Sequence, residues 1–301
     1  MKTLRDIGED ALIEKLVSLL PLDPDPSAGP GDDCAVVDPG PGFSSLQLLK
    51  TDALVENIHY LPSDPPCDVG WKAIARVVSD FAAMGGRPER FLITIALSPA
   101  TPLHWVEDLY RGMGKCLTQY QCVLAGGETS SVPAGSACVI SIAATGSVGR
   151  DKVVLRSSAK AGDLLLVTGT LGGSIKGKHL SFAPRLEETN WLVSQYKPTA
   201  MMDVSDGLAK DLPRLAKASG CGFSLEREKL PVSPGSSVEQ ALQDGEDFEM
   251  LFTIEPERVA GLLEAWKIRF PAVLLSVIGK IENVGAGQSL EGGWDHFRSR
   301  P

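Results

Sequence analysis

Acidic residues stand where several segments of this 301-residue chain come to an end. They are Asp32 and Asp33 after Gly31, Asp52 after Thr51, Asp80 after Ser79, Glu128 after Gly126-Gly127, and the pair in Asp203-Val204-Ser205-Asp206-Gly207. Carboxylates gathered from separate segment ends repel one another unless cations lie between them. Hard oxygen ligands of this kind suit Mg²⁺, which reaches a protein through carboxylates and the oxygens of a polyphosphate. The chemistry implied is metal-dependent phosphoryl transfer.

Each motif also has a plainer reading. Gly31-Asp32-Asp33 is a turn-forming sequence. Asp80 falls in the last turn of a predicted helix, where the macrodipole disfavours an anion, and Arg76 four residues earlier could pair with it on a solvated face. Gly126-Gly127-Glu128 lets a backbone approach a phosphate beside a carboxylate, and is equally a strand-to-loop turn. The strongest local motif is Asp203 to Gly207. Its acids flank a helix N-cap, so free N–H groups and the Ser205 hydroxyl can take phosphate oxygens while the carboxylates take Mg²⁺. The alternative there is an ordinary acidic helix start.

Gly172-Gly173-Ser174-Ile175-Lys176-Gly177-Lys178-His179 follows a strand and is a degraded P-loop. His179 stands where a hydroxyl would hold Mg²⁺, Pro184 cuts the helix short, and Met201-Met202-Asp203 could act as its acid-bearing strand. The four histidines show no metal spacing, a lone His59 is commonly structural, and no G-x-S-x-G nucleophile motif occurs.

The elements that must carry these residues alternate. A helix near 8–20 stops at Pro21, and Pro21 to Gly31 is a proline-rich loop. A strand over 46–49 delivers Thr51 and Asp52 at its end. Asp68 can cap a helix whose apolar stripe is Trp71, Ile74, Val77, Val78, Phe81 and Met84, closed by Gly85-Gly86. A strand over 90–97, a helix opened by Thr101-Pro102, a short strand over 121–125 and a β stretch over 137–148 complete the first half. The second half predicts strands at 164–168, 200–203, 249–254 and 272–278. Its helices fall near 184–195, 206–219 with Ser205 as cap, and 256–266. The fold class is α+β, rich in α/β alternation, with mixed sheets, packed helices and two domains at 1–150 and 151–301.

Hydrophobic content of 43%, charged content of 22% and a net charge of −9 fit a soluble protein and argue against nucleic acid as the main partner. Six cysteines without C-x-x-C spacing read as reduced thiols of a cytoplasmic protein. No apolar leader and no 18-residue apolar run appear, so no membrane partner is expected.

Taken in order, the motifs resemble those of the thiamine-monophosphate kinases, in the superfamily of aminoimidazole ribonucleotide synthetase. The stretches that carry the resemblance are Gly31-Asp32-Asp33-Cys34-Ala35, Thr51-Asp52-Ala53-Leu54-Val55 with His59, and Ser79-Asp80-Phe81-Ala82-Ala83-Met84-Gly85. They continue with Gly126-Gly127-Glu128-Thr129, Arg156 before Ala159-Lys160-Ala161-Gly162-Asp163, Asp203 to Leu208, Gly245-Glu246-Asp247-Phe248-Glu249 and Gly293-Trp294-Asp295-His296-Phe297. The resemblance implies a two-domain synthetase-like fold, paired through the N-terminal domains into a homodimer with ATP near that interface. It implies ATP-dependent phosphorylation of thiamine monophosphate to thiamine diphosphate. By position, Asp33, Thr51, Asp52, Asp80, Glu128, Asp203 and Asp206 would hold several Mg²⁺ ions. Gly127, Glu128, Arg156 and Ser205 would contact ATP, and His59, Glu246 and Trp294 the thiamine compound. No residue is expected to act as a general base, because a phosphate acceptor is already ionised near pH 7; Arg156 assists by gripping a phosphate.

The chain departs from the family pattern in places. Glu128 stands where the family usually has Asp, Lys50 where Ser is commoner, Thr129-Ser130-Ser131-Val132 lacks a basic residue and a glycine, and the segment between Gly169 and Pro184 is short. A related ATP-dependent enzyme with another small phosphate or acyl acceptor, and a non-catalytic nucleotide-binding relative, are the competing readings.

Overall fold

In a computed structural model that describes residues 2–23 and 29–298, the two halves of the sequence each build a five-stranded sheet. The first half runs α1 (Leu4–Ile7), α2 (Glu9–Val17), β1 (Ala35–Val37), β2 (Ser45–Val55), α3 (Pro66–Ala83), β3 (Arg87–Leu97), α4 (Leu103–Gln119), β4 (Val123–Ser131) and β5 (Val139–Gly149). Its strand order is β1-β2-β5-β3-β4, antiparallel except for the β3–β4 pair. That pair is parallel because α4 carries the chain back over the sheet between them.

The second half contains β6 (Leu164–Thr168), α5 (Lys178–Ser181), α6 (Leu186–Tyr196), β7 (Ala200–Asp203), α7 (Leu208–Ala218), β8 (Gly222–Leu225), α8 (Val238–Gln243), β9 (Met250–Ile254), α9 (Pro256–Arg269) and β10 (Leu275–Glu282). Its order is β7-β9-β6-β10-β8, antiparallel throughout. Among the described residues no helix is long and apolar enough to cross a membrane. All six cysteines are free.

Helix α3 joins the halves. It packs on β2, β3 and β5 on one side and on α5, α6 and β7 on the other. Proline at its start suits the first helical turn, where an N–H would lack a partner anyway. Ala73, Ala75, Ala82 and Ala83 are fully buried, and such small side chains let neighbouring elements come close on several sides. Against α4 the approach is closer still. A Cβ on Gly70 would lie 1.9 Å from the Leu109 carbonyl oxygen, and one on Gly112 would lie 1.8 Å from that of Cys67. Both obstacles are backbone, so neither can swing aside. Gly112→Val is therefore expected to cost about 3 kcal/mol or more by overpacking, read as a lowered urea midpoint. An unchanged midpoint would show that the two helices can part without penalty.

Several expectations change here. Strand β2 extends to Val55, so Thr51 and Asp52 lie inside it, opposite Ala143 and Ile142 of β5, and not at its end. Strand β4 continues through Gly126-Gly127-Glu128 to Ser131, so these residues form an edge strand and not a turn. Gly127 is needed there because a Cβ would meet the Ile93 carbonyl oxygen at 2.0 Å. Helix α7 begins at Leu208 with Gly207 (φ 98°) as its N-cap, so Ser205 is not the cap. Pro65 precedes α3, and Asp68 sits within its first turn. Strands β1 and β8 and helix α8 were not foreseen. Of the proline-rich loop, residues 24–28 lie outside the described residues.

Candidate active site

Three of the expected acids converge. Asp33 precedes β1, Asp80 lies in the last turn of α3, and Asp203 ends β7. A carboxylate oxygen of each lies within 4.8 Å of the other two, and all three residues are buried. Each has its own protein partner. Arg156 grips Asp33 with Nη2 at 2.6 Å and Nε at 3.2 Å, Lys50 Nζ donates to Asp80 at 2.6 Å, and the Ser79 hydroxyl donates to Asp203 at 2.6 Å. Burial pushes the Asp80 carboxyl well above the usual range, against the pull of Lys50. Asp203 is pushed up to about 6 by burial and by Asp33. Carboxyls perturbed this strongly and packed this closely cluster at functional sites.

The other expected ligands are not brought into this group. On β2, Leu48, Lys50, Asp52 and Leu54 alternate toward α3, which leaves Thr51 on the opposite, exposed face of the sheet. Asp52 is paired with Arg76 of α3 at 3.1 Å. Gly127 and Glu128 are on the edge strand, with Glu128 exposed. Asp206 is held by Arg214 at 2.6 Å and Lys210 at 3.2 Å. Burial would raise its pKa, but those two cations outweigh burial and keep it below the ordinary value. The same cations hold the N-terminal helix, Lys210 through Glu9 at 2.7 Å and Arg214 through Asp10 at 2.6 Å. The N–H groups of Ser205 and Asp206, expected to meet phosphate, donate to the buried Asp211 carboxylate at 3.0 and 2.9 Å.

Beside this group opens a cavity of about 320 Å³. His59, Glu246 and Trp294, distant in sequence, all line it, together with Arg76, Ser205 and His296. The loop after β7 assembles the wall by backbone contacts. Glu246 N–H donates to the Ser205 carbonyl at 2.7 Å, Phe248 N–H to that of Val204 at 2.9 Å, and Trp294 N–H to that of Asp206 at 2.7 Å. Glu246 (φ 64°) and Phe248 (φ 51°) both occupy the left-handed region, a strain that only dense surroundings sustain and that clusters at functional sites.

Glu246 is fixed from below. Lys72 Nζ lies 2.6 Å from its Oε2 and His179 Nδ1 lies 3.1 Å away. Burial alone would raise its pKa; the hydrogen bond to His179 and the charge of Lys72 instead pull it to about 2, so it is a carboxylate at any working pH. Lys72 is wholly buried and also donates to the His59 carbonyl and contacts His179 Nδ1 at 2.8 Å. Burial, only partly offset by Glu246, brings the Lys72 pKa down to about 8. Burial and Arg76 bring His59 down to about 4, leaving it neutral. Its Nδ1 accepts the Val55 N–H at 2.9 Å, which assigns the ring proton to Nε2.

Lys72 was missed from the sequence, Arg76 was paired there with Asp80 where the structure pairs it with Asp52, and His179 was placed only in the degraded P-loop. A signal existed: Lys72, Arg76 and Asp80 recur at four-residue spacing on a helix that is otherwise apolar, so the three charges share one face.

The degraded P-loop is not a phosphate cradle. The Gly172 N–H donates to Asp247 at 2.9 Å, the Gly173 N–H to Asp244 at 2.9 Å, and the Ser174 hydroxyl to Asp247. Lys178 donates to the Thr170 carbonyl at 2.9 Å and to Glu249 at 3.1 Å. Carboxylates already occupy the donors a phosphate would require.

Comparison with known proteins shows which family shares this fold. Residues 31–148 match the AIR synthase related protein N-terminal domain, and residues 160–287 match the corresponding C-terminal domain. A protein of Synechococcus elongatus named thiamine-monophosphate kinase is 32% identical, covering 87% of this chain and 86% of its own length. One of Rhodopirellula baltica with the same name is 36% identical over 79% of each chain. A solved structure described as AaThiL complexed with AMPPCP and TMP superposes with a TM-score of 0.84 at 31% identity, covering 98% of this chain and 99% of that one. The chain thus belongs to the thiamine-monophosphate kinase family, within the AIR synthase related proteins.

Proposed function

We propose that this enzyme transfers the γ-phosphoryl group of ATP to thiamine monophosphate with the help of Mg²⁺, giving ADP and thiamine diphosphate. The observation that carries this reading is the single cavity lined by His59, Glu246 and Trp294 beside the Asp33, Asp80 and Asp203 group. The AMPPCP and TMP bound by the superposable relative support it. An oxygen of the acceptor phosphate attacks the γ-phosphorus in line, and the bond from that phosphorus to the ADP oxygen breaks. The attacking oxygen is already anionic, so no side chain has to remove a proton.

Glu246, held as a carboxylate, accepts from the amine of the aminopyrimidine. Trp294 offers a ring face to the cationic thiazolium. His59 Nε2–H is a neutral donor in the same wall. Arg156 meets a phosphate of ATP while its contact with Asp33 keeps it in place. The buried, convergent carboxylates of Asp33, Asp80 and Asp203 fit a hard divalent cation, and Mg²⁺ held there would neutralise phosphate charge as the two anions meet. We restrict the metal role to these three because their carboxylate oxygens converge, whereas Asp52 and Asp206 do not join the group.

We further propose a homodimer through the face of the first sheet turned away from α3. Leu49 and Leu92 are 40% and 48% exposed there, and with Thr51, Ala125 and Ala143 they line an apolar concavity suited to a second copy.

The test is a product assay. Purified protein with ATP, Mg²⁺ and thiamine monophosphate should form ADP and thiamine diphosphate in equal amounts. ATP binding with no turnover on any thiamine compound would defeat the reading.

A further inference from the structure

Arg76 stands at the junction between the cavity and the acid group. It lies on α3, one turn before Asp80 and one turn after Lys72, and its side chain is only 13% exposed. Burial weakens its charge, yet four carboxylates outweigh that and raise its pKa: Asp52, Glu246, Asp80 and Asp203. Glu246 belongs to the cavity wall, whereas Asp80 and Asp203 belong to the acid group, so one guanidinium feels both. Its Nη2 contacts the two Asp52 oxygens at 3.2 and 3.1 Å, and Nη1 makes a long 3.3 Å contact to the Ala53 carbonyl. Its Nε is buried with no hydrogen-bond partner. An orphaned buried donor is costly, and an acceptor brought within its reach would recover that cost.

The lining of the cavity sharpens this. Asp206, Asp244 and Glu246 make it acidic, and Arg76 is the one lysine or arginine among its described lining residues. His59 is neutral. Lys72 is sealed beneath Glu246, donating to that carboxylate and to the His59 carbonyl and touching His179 Nδ1, and the nearby N–H groups of Ser205 and Asp206 are taken by Asp211. An acidic cavity with a single permanent cation can accept a phosphomonoester only by bringing its phosphate to that cation. The planar fork of arginine suits a phosphate better than the point charge of a lysine.

We propose that Arg76 binds the phosphate of the acceptor and so makes this cavity select a phosphomonoester over the corresponding free alcohol. The inference rests on the reading of the cavity as the acceptor site. Thiamine itself would fill the heterocycle positions and leave the orphan N–H unpaired, and a site built around a polar partner rejects the analogue that lacks it.

The test is binding calorimetry with thiamine monophosphate and with thiamine, each in the presence of a non-hydrolysable ATP analogue. The parent protein should prefer the monophosphate. Arg76→Gln should weaken the monophosphate by about 10- to 100-fold, as expected for a lost charged hydrogen bond, and leave thiamine within about twofold. The R76Q/D52N pair separates direct contact from the charge freed on Asp52, and the preference should stay lost. An unchanged ratio in R76Q, a ratio that returns in R76Q/D52N, or a parent protein without preference would overturn the assignment. A purely structural arginine, pinning β2 to α3, would lower the melting temperature and weaken both ligands alike. Should R76Q not fold, Arg76→Lys decides: it keeps the charge, loses the fork and should shrink the preference about tenfold, and an unchanged preference refutes the proposal. Failure of the kinase reading looks different, since the monophosphate would then bind with its preference intact and no product would form.

Discussion

Asp80→Asn is expected to lower turnover by about 10²- to 10³-fold while the protein stays folded, the scale of loss seen when one preorganised electrostatic group is removed from an active site. The side chain is 9% exposed and shares its surroundings with Asp33 and Asp203, so its charge exists at a cost in burial and repulsion. Asparagine has nearly the same shape and can still accept from Lys50 at the position of Oδ1. Relief from repulsion offsets the lost ion pair, which is why melting should move little. Steady-state rates at saturating Mg²⁺ and a thermal melt check both halves. Full activity would remove Asp80 from the site, and unfolding would make it a structural acid.

Lys72→Met is expected to act on stability as well as on the acceptor. Removing one partner of a buried ion pair typically costs about 3–5 kcal/mol, because the remaining charge is left uncompensated. Glu246 is 19% exposed, so the lower end of that range applies, read as a urea midpoint shift. The acceptor KM should rise about tenfold or more as Glu246 loses its orientation. K72M/E246Q removes both charges together and should recover part of the stability without recovering the KM.

The pH dependence follows the same pair. The folded-state pKa of Glu246 is about 2, below its ordinary 4.5, so its contribution to stability is fully present above pH 4.5 and is lost as pH falls toward 2. That acid limb should shrink in K72M. A variant as stable as the parent, with the same acid limb, would show that His179 alone holds Glu246.

Much of the site was readable because acids at element ends announce themselves one motif at a time. Asp33, Asp80 and Asp203 lie at such ends, and they are the three that converge. Thr51 and Asp52 were misplaced because Lys50-Thr51-Asp52 looks like a polar stop. It is the middle of a strand whose one face carries the site and whose other face is left open. Gly126-Gly127-Glu128 misled for a related reason: glycine usually breaks a strand, whereas here it lets two parallel backbones touch. Ser205 looked like a cap because the competing acceptor, Asp211, lies one turn into the following helix. His179 and Glu246 meet Lys72 across 107 and 174 residues of chain, and no local pattern encodes such a meeting.

Helix α3 has a consequence for which molecules this enzyme can use. Lys72, Arg76 and Asp80 are rungs on one rigid rod, about 6 Å apart and about 12 Å from first to last by helical rise. On the proposed reading, the first rung anchors the carboxylate that meets the amine end of the acceptor, the second takes its phosphate, and the last belongs to the group that would hold the metal. The rod is buried along its length between two sheets, so the spacing cannot adapt to its guest. It works as a ruler. An acceptor whose amine and phosphate are separated by one carbon more or less could dock at either mark, but it could not read true at both.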